Sequence, residues 1–179
     1  MKKLNLNEKG FTLIELLAVI VILAIVMVLA SQSVLPFMRN ASKDSFAIEA
    51  NGAIDAASNA ISLFNVGQLT LDDDPGNGLR KYGTGSYCME LKFLVKEGLY
   101  SLRSDKVGGD SPDYSGYVLV LKSKDSNTYK YRLKFRNKKY VYNLKETENE
   151  TKSIDKDSKY ISEYASEGAF TCPESQSLT

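Results

Sequence analysis

Side chains that could do chemistry are few in this sequence, and one of them stands in an unusual place. The chain has no histidine and only two cysteines, so the commonest general base and the usual zinc-ligand sets are missing. It also shows no nucleophile–base pair and no phosphate-binding loop. The sequence therefore predicts no enzymatic activity, no cofactor and no metal site. The residue that does indicate a function is Glu15, a single carboxylate within an apolar run.

Glu15 lies near the start of a segment long enough to cross a bilayer. Every residue from Leu16 to Ala30 is apolar, and the 20 residues of Phe11–Ala30 would span about 30 Å as a helix. A carboxylate within a membrane helix is costly and predicts a cationic partner. Glu15 would lie only some 6 Å below Phe11. Its insertion should therefore cost less than the roughly 2.5–3.5 kcal/mol found at the centre of a membrane helix.

The stretch Lys9-Gly10-Phe11-Thr12-Leu13-Ile14-Glu15, preceded by Lys2 and Lys3, resembles the class III leader of type IV pilins and pseudopilins. In that family a prepilin peptidase cuts after the glycine and methylates the new N-terminus. The resemblance implies cleavage between Gly10 and Phe11, and N-methylation of Phe11. It also implies that Glu15, the fifth mature residue, pairs with the N-terminal amine of a neighbouring subunit during assembly.

Two other interpretations compete for the same segment. One is a secretory signal cut before Ser31, after the small-residue end of the run. The apolar run is long for such a signal, whose apolar core usually has 7–15 residues. The other is a membrane anchor that is left uncut. Neither accounts for Glu15 or for the Gly10–Phe11 junction.

The resemblance implies an α+β fold, in which a long N-terminal helix packs on a small antiparallel sheet. We expect a leader over residues 1–10, a transmembrane or filament-core helix over 11–35 and one globular head over 36–179. Within the head, the helix should continue to about residue 66. A loop over 67–115, a sheet over 116–144 and a C-terminal region over 145–179 should follow.

The head half of the helix shows an amphipathic pattern. Apolar residues recur at spacings of 3 and 4, which predicts one packing face; they are Ala47, Ala50, Ile54, Ala57, Ile61 and Phe64. Gly67 should cap the helix in a left-handed conformation. Pro36 deletes a backbone hydrogen bond and predicts a kink or local melting around Gln32–Phe37.

A run that is apolar on both faces at 116–122, followed by alternation over 128–136 and 139–144, predicts a three-stranded antiparallel meander. One of its faces should cover the helical stripe with Tyr129, Tyr131, Leu133 and Phe135. Two short helices are also expected. One follows Ser86, with Cys88, Leu91 and Val95 on one side and a cap at Gly98; the other runs over Lys159–Gly168 with Tyr160, Ile161 and Tyr164 inward. The stretch 91–101 resembles a turn-and-helix of Gram-positive pilins and competence pseudopilins.

Charge is divided between two stretches of the head. Residues 115–145 hold nine Lys or Arg against Asp125, whereas residues 146–174 hold eight Asp or Glu against three lysines. The second strand carries a basic face made of Lys130, Arg132, Lys134 and Arg136. We favour charge complementarity within or between subunits over nucleic-acid binding. The acidic run at Asp72–Asp74 lacks the ligand spacing of a calcium loop and indicates a solvated turn.

Cys88 and Cys172 both lie outside the apolar segment. A bridge between them would close a long loop, worth roughly 4–5 kcal/mol in the chain-entropy model. Two buried thiols are the alternative in a reducing environment. Sequence alone leaves both open.

These features together predict a filament subunit that self-assembles through its N-terminal helix. The resemblance implies a prepilin peptidase, an assembly ATPase and a platform protein as partners. It also implies a single-pass cytoplasmic membrane precursor and a mature form in a cell-surface pilus serving adhesion, twitching motility or biofilm formation. A minor pilin or a pseudopilin of secretion or competence is the alternative, and a membrane-anchored receptor is less favoured.

Overall fold

The computed structural model describes residues 12–82, 85–102, 113–124, 126–143, 153–164 and 168–174. The chain divides into two compact units, residues 1–41 and 42–179, and each is described by itself below. Gly10 and Phe11, the predicted cleavage and methylation site, lie outside the described residues. So do the rest of the predicted leader and the segments 103–112 and 144–152.

A single long helix, α1 (Leu13–Asn65), opens the described chain and confirms the predicted N-terminal helix. It ends as its glycine predicts, because Gly67 has a left-handed backbone with φ of 72°. The N–H of Gly67 donates to the carbonyl of Phe64 at 3.0 Å, and the N–H of Gln68 donates to that of Leu63 at 2.9 Å. These two bonds form a Schellman motif, which satisfies carbonyls that the helix end leaves open.

Pro36 does not interrupt α1, so the predicted local melting around Gln32–Phe37 is wrong. Proline removes only one backbone donor, and the intact turns on either side continue the hydrogen-bonded ladder. A bend of the helix axis at Pro36 stays a prediction.

The head holds a six-stranded antiparallel sheet whose strand order follows the sequence order. Its strands are β1 (Leu79–Lys81), β2 (Tyr87–Glu90), β3 (Ser115–Lys122), β4 (Tyr129–Arg136), β5 (Tyr140–Asn143) and β6 (Ile161–Glu163). Strands β3, β4 and β5 confirm the predicted meander. The other three strands were not predicted. A 3₁₀ turn (Pro75–Asn77) precedes β1, and the short helix α2 (Leu91–Lys96) follows β2.

Two predicted short helices differ in the structure. Cys88 lies on β2, so the expected helical face with Leu91 and Val95 is wrong; α2 instead buries Leu91, Phe93 and Leu94. All four residues of β2 are buried, and a short apolar stretch gives no period that separates strand from helix. The predicted cap at Gly98 is confirmed, since its φ is 70° and the N–H of Leu99 donates to the carbonyl of Leu94 at 2.9 Å.

The helix predicted over Lys159–Gly168 is also wrong in its described part, where Ile161–Glu163 forms β6. This strand pairs antiparallel with β5, and Ile161 lies opposite Tyr142. Pairing satisfies the free edge of β5, which a helix could not do. Tyr160 and Ile161 still pack toward the core as predicted.

The head's core lies between the second half of α1 and one face of the sheet. Phe46 sits at its centre, with its ring centroid 5.3 Å from that of Phe135 and 5.7 Å from that of Tyr140. The sheet face is the predicted one, as Leu133 and Phe135 are buried and Tyr129 and Tyr131 pack against them. The two-layer α+β prediction is therefore confirmed.

The helical stripe is turned slightly from its predicted position. Ala47, Ala50, Ala57 and Ile61 are buried as predicted, but so are Phe46, Ala53, Ala56 and Ala60. Ile54 is only half-buried, and Phe64 is 37% exposed. Alanine takes the closest positions because its small side chain lets the sheet approach the helix, while the larger residues fall to the margins.

Candidate functional site

The first turn of α1 is closed by reciprocal hydrogen bonds between Thr12 and Glu15. The backbone N–H and the hydroxyl of Thr12 both donate to Oε2 of Glu15, at 2.8 and 2.9 Å. The backbone N–H of Glu15 donates in return to the hydroxyl oxygen of Thr12 at 3.3 Å. This arrangement is a capping box, and it satisfies N–H groups that a helix start leaves open. Glu15 thus caps the helix of its own chain. The Thr-x-x-Glu spacing is the sequence signal for this capping role, which is separate from the predicted pairing of Glu15 with a neighbouring subunit.

Only one of the two carboxylate oxygens of Glu15 is used in this way. Within the described part of the chain no donor is bonded to Oε1, and Glu15 itself is exposed. An ionised carboxylate in apolar surroundings calls for a cation. The arrangement can therefore hold a helix start with one oxygen and accept an ammonium group with the other.

The first half of α1 presents an apolar surface with no cover. Each residue of 12–41 whose side chain is described is exposed, including Leu13 at 84% and Met27 at 75%. Soluble monomers rarely expose a contiguous apolar patch larger than a few hundred Å². Among the described residues, α1 is long and apolar enough to cross a membrane, with a mean hydropathy of 3.2 over its most apolar window. This surface therefore has the composition and length of one that contacts lipid or an apolar protein surface.

The predicted basic face exists on β4, but its burial is graded. Lys130 is exposed, Arg132 and Lys134 are half-buried, and Arg136 is buried. The charged head groups meet aromatic rings of the C-terminal region. Lys134 Nζ lies 4.3 Å from the ring centroid of Phe170, and Arg136 Cζ lies 4.6 Å from that of Tyr164. The Arg136 end of this face is therefore covered by the C-terminal region.

Residues 168–174, here called the C-terminal strap, cover the outer face of the sheet, the face turned away from the main core. A disulfide joins Cys172 of the strap to Cys88 of β2, across 84 residues of chain. Cys88 and Cys172 are buried together with Leu119 in a small cluster of their own. Of the two alternatives that the sequence leaves open, the structure contains the bridge.

Two polar residues that sequence reasoning missed hold the strap. Glu90 is buried, and its Oε1 accepts a hydrogen bond from the backbone N–H of Cys172 at 2.9 Å. Its Oε2 lies 3.1 Å from Nζ of Lys92. Ser115 is also buried, and its hydroxyl bonds to both the N–H and the carbonyl of Phe170. The position of Glu90 between apolar residues was a sequence signal for a buried charge. The neighbouring residues gave no indication that its partner would be Cys172.

A third missed residue, Asn51 of α1, anchors the chain before β6. Its side-chain N–H donates to the carbonyl of Ile154, and its side-chain oxygen accepts the N–H of Ile154, each at 2.8 Å. Ile154 itself is buried. Asn51 therefore satisfies both backbone groups of a residue 103 positions away, as a neighbouring strand would do.

The acidic run serves the local turn. The carboxylate of Asp74 accepts the N–H and the side-chain amide of Asn77 and so caps the 3₁₀ turn; these bonds lower the pKa of Asp74 below its usual value. Asp73 accepts the N–H of Lys81 at 2.9 Å. Both carboxylates thus have backbone partners, as a turn requires. No group of three or more metal-ligating side chains occurs within the described residues.

Comparison with known families bears on the N-terminal segment. A family model described as the prokaryotic N-terminal methylation motif matches residues 5–31. No curated protein and no solved structure matches the chain. The matched residues contain the predicted Gly10–Phe11 junction, the capping box at Thr12 and Glu15, and most of the exposed apolar surface.

This match supports the predicted resemblance, because it covers a class III prepilin leader and the apolar helix after it. Such a leader implies processing by a prepilin peptidase and entry into a pilus-type assembly machinery. Together with the long apolar helix, it fits a membrane-anchored precursor. The N-terminal segment therefore carries a prepilin-type methylation motif, similar to that of type IV pilin and pseudopilin precursors.

Proposed function

We propose that this chain is a structural subunit of a type IV pilus or a related filament, and that it has no enzymatic role. Prepilin peptidase cuts after Gly10 and methylates the amine of Phe11. The mature subunits then stack through their N-terminal helices. Glu15 of each subunit pairs with the N-terminal amine of a neighbouring subunit.

The uncovered first half of α1 is the observation that carries this proposal. Its large aliphatic side chains have no cover within the described chain, and Glu15 stands among them near the start of the helix. In the membrane, lipid covers these side chains. Outside the membrane only other copies of the same helix offer an apolar surface of matching length, and burial favours association by roughly 1.5–3 kcal/mol per large side chain.

The pairing of Glu15 gives the assembly its register. Its Oε1 accepts no bond from the described part of its own chain, so a neighbour's ammonium group can approach it without breaking the capping box. A charge pair in apolar surroundings strongly disfavours any register that leaves either charge alone. A repeated head-to-tail contact that does not close produces a helical fibre.

The proposal also implies which proteins assist assembly and where the mature subunit is found. An assembly ATPase and a platform protein move the subunit out of the cytoplasmic membrane, and the mature form lies outside the cell. Adhesion, twitching motility or biofilm formation would be the role of a major pilin. A minor pilin, or a pseudopilin of secretion or DNA uptake, would use the same N-terminal chemistry.

Two substitutions of Glu15 separate its two roles. Glu15→Gln keeps an acceptor oxygen for the capping box but removes the charge, whereas Glu15→Ala removes both. We expect both variants to be cut by the peptidase at the normal rate. We also expect both to be absent from sheared filaments, measured by immunoblot against the membrane-bound pool.

Other outcomes would contradict the charge pair. Normal filaments from Glu15→Gln together with a defect in Glu15→Ala would assign Glu15 to helix capping alone. Normal filaments from both variants would show that Glu15 has no role in assembly.

Electron microscopy of cells lacking the protein distinguishes a major pilin from the other kinds of subunit. Loss of abundant fibres indicates a major pilin, and persistence of the fibres indicates a minor pilin or pseudopilin.

A further inference from the structure

The C-terminal strap makes an ordered series of contacts along the outer face of the sheet, besides its disulfide. Phe170 meets Ser115 of β3 and Cys172 meets Glu90 of β2. Beyond the disulfide, the hydroxyl of Tyr82 donates to the carbonyl of Pro173. Arg80 Nη2 lies 3.9 Å from Oε1 of Glu174, although that glutamate is 91% exposed. The strap is thus fixed on both sides of its cysteine.

The contact at Glu90 differs from the others because it satisfies a buried charge. Glu90 is 7% exposed, and its two oxygens bond to the Cys172 N–H and to Lys92. With the strap away, Oε1 would lose its protein donor. A buried carboxylate oxygen without a donor is costly, so the carboxylate favours the docked strap.

Ser115 binds the strap two residues before its cysteine. Ser115 is 3% exposed. Its hydroxyl accepts a hydrogen bond from the N–H of Phe170 and donates one to the carbonyl of Phe170. A hydroxyl with this pairing fixes the register of the strap, because only one strap residue can use both bonds. Neither this contact nor the one at Glu90 involves a sulfur atom.

We propose that Glu90 and Ser115 dock the C-terminal strap before oxidation, so that the disulfide locks an arrangement that is already formed. In this order of events the two residues position the Cys172 thiol against the Cys88 thiol. Without docking, the separation of 84 positions along the chain would leave the two thiols far apart most of the time, because loop closure costs entropy. This inference goes beyond the filament proposal and does not depend on it.

The covalent step is ordinary thiol–disulfide exchange with a disulfide oxidant, for which oxidised glutathione is the probe. One protein thiolate attacks oxidised glutathione, forms a mixed disulfide and releases one glutathione. The second protein thiolate then attacks the mixed disulfide, closes the protein bridge and releases the second glutathione. The protein loses two electrons and two thiol protons, and the oxidant gains the electrons as two thiols.

The test measures the equilibrium constant for closing the Cys88–Cys172 bridge in glutathione redox buffers, on the full chain in detergent micelles. Glu90→Ala should lower this constant about tenfold, since a charge-assisted hydrogen bond is lost. Glu90→Gln keeps an acceptor for the Cys172 N–H and should restore most of the constant. Glu97→Ala, an exposed glutamate after α2, is the matched control and should leave it unchanged. An unchanged constant in Glu90→Ala would overturn the proposal.

A second measurement does not require the Glu90 variants to fold. In a double Cys88→Ser and Cys172→Ser chain, the strap cannot be held covalently. If it docks without the bridge, amide exchange at positions 170 and 172 should remain at least tenfold slower than in a peptide of the strap sequence. Exchange at the peptide rate, with β3 and β4 still protected, would show that the disulfide alone holds the strap and would overturn the proposal.

Discussion

The two halves of α1 are continuous in backbone but opposite in surface. Residues 13–41 carry large aliphatic side chains that are exposed, whereas residues 42–65 bury a row of alanines against the sheet. Apolar composition alone does not separate these outcomes, because both halves contain apolar side chains. Side-chain size and the presence of a covering layer do separate them. The comparison shows that one helix has a half whose apolar residues are covered within the head and a half whose apolar residues are exposed.

Small residues in the second half of α1 allow the rest of the head to pack close to the helix, where larger side chains would hold it away. Gly52 shows the limit: a Cβ atom there would stand 3.2 Å from the ring of Tyr100, closer than ordinary van der Waals contact. The hydroxyl of Tyr100 donates to the carbonyl of Glu49 at 2.5 Å, so the ring lies directly on the helix. Glycine in the middle of a helix costs about 0.5–1 kcal/mol relative to alanine, and here it makes room for this contact.

The sharpest test of the comparison uses one phenylalanine from each half. Phe46 is fully buried, whereas Phe37 is 74% exposed. Phe46→Ala should lower the free energy of unfolding of the head by about 3–5 kcal/mol, because it leaves a cavity between α1 and the sheet. Phe37→Ala should change it by less than about 0.5 kcal/mol. Chemical denaturation of the full chain in detergent, followed by near-ultraviolet circular dichroism, measures both; equal losses would contradict the comparison.

A charge placed in the first half of α1 should affect membrane insertion and leave the stability of the head unchanged. Leu23 lies near the middle of the apolar surface and is 59% exposed. Leu23→Lys should weaken membrane insertion by roughly 3–4 kcal/mol, because it adds the penalty of a lysine and removes the favourable contribution of a leucine, while leaving the unfolding of the head unchanged. The fraction that resists alkaline carbonate extraction measures insertion. Full retention in the membrane, or a destabilised head, would show that this surface is not the lipid-facing one.

A smaller effect sharpens the picture of the covered half. Asn51→Ala would leave the N–H and carbonyl of buried Ile154 without partners and should cost about 1–3 kcal/mol of unfolding free energy. Asn59→Ala, on the same half of the helix and outside the buried alanine row, should change it by less than about 0.5 kcal/mol. The same denaturation measurement compares the two. Similar values for both variants would mean that Asn51 does not anchor the segment before β6.

The smallest effect concerns ionisation. Burial raises the pKa of the Tyr100 phenol, and the nearby Glu49 carboxylate raises it further. The stability that the neutral phenol contributes is present below the ordinary tyrosine pKa of about 10 and is lost as pH rises toward the higher folded value. The difference in absorbance at 295 nm between the wild-type chain and Tyr100→Phe should show Tyr100 still protonated at pH 11. Ionisation near pH 10 would contradict burial of the ring.

Regular, periodic elements of this fold could be predicted from the sequence. The apolar run, the alanine spacing and the alternation of β4 each repeat often enough to indicate α1, the central strands of the sheet and the face that meets the helix. Gly67 and Gly98 could be predicted as caps because a left-handed residue after a helix is a local requirement. The methylation motif could be predicted for the same reason, because it lies in one continuous stretch; cleavage between Gly10 and Phe11 stays a prediction.

What could not be predicted depends on partners far along the chain. Strands β1 and β6 have three residues each, too few to show a period, and form because a neighbouring strand edge is present. Glu90 and Asn51 bond to residues 82 and 103 positions away. The burial of Arg136 likewise depends on Tyr164, which no local pattern places above it. Local spacing carries no information on such pairs.

The N-terminus of the mature protein tests the central claim most directly. Mass spectrometry of the chain purified from membranes or sheared filaments should find N-methylated Phe11 as the first residue, followed by the intact sequence through Ala30. A chain that still begins at Met1, or one that begins at Ser31, would contradict the account, because neither could present a Phe11 amine to the Glu15 of a neighbouring subunit.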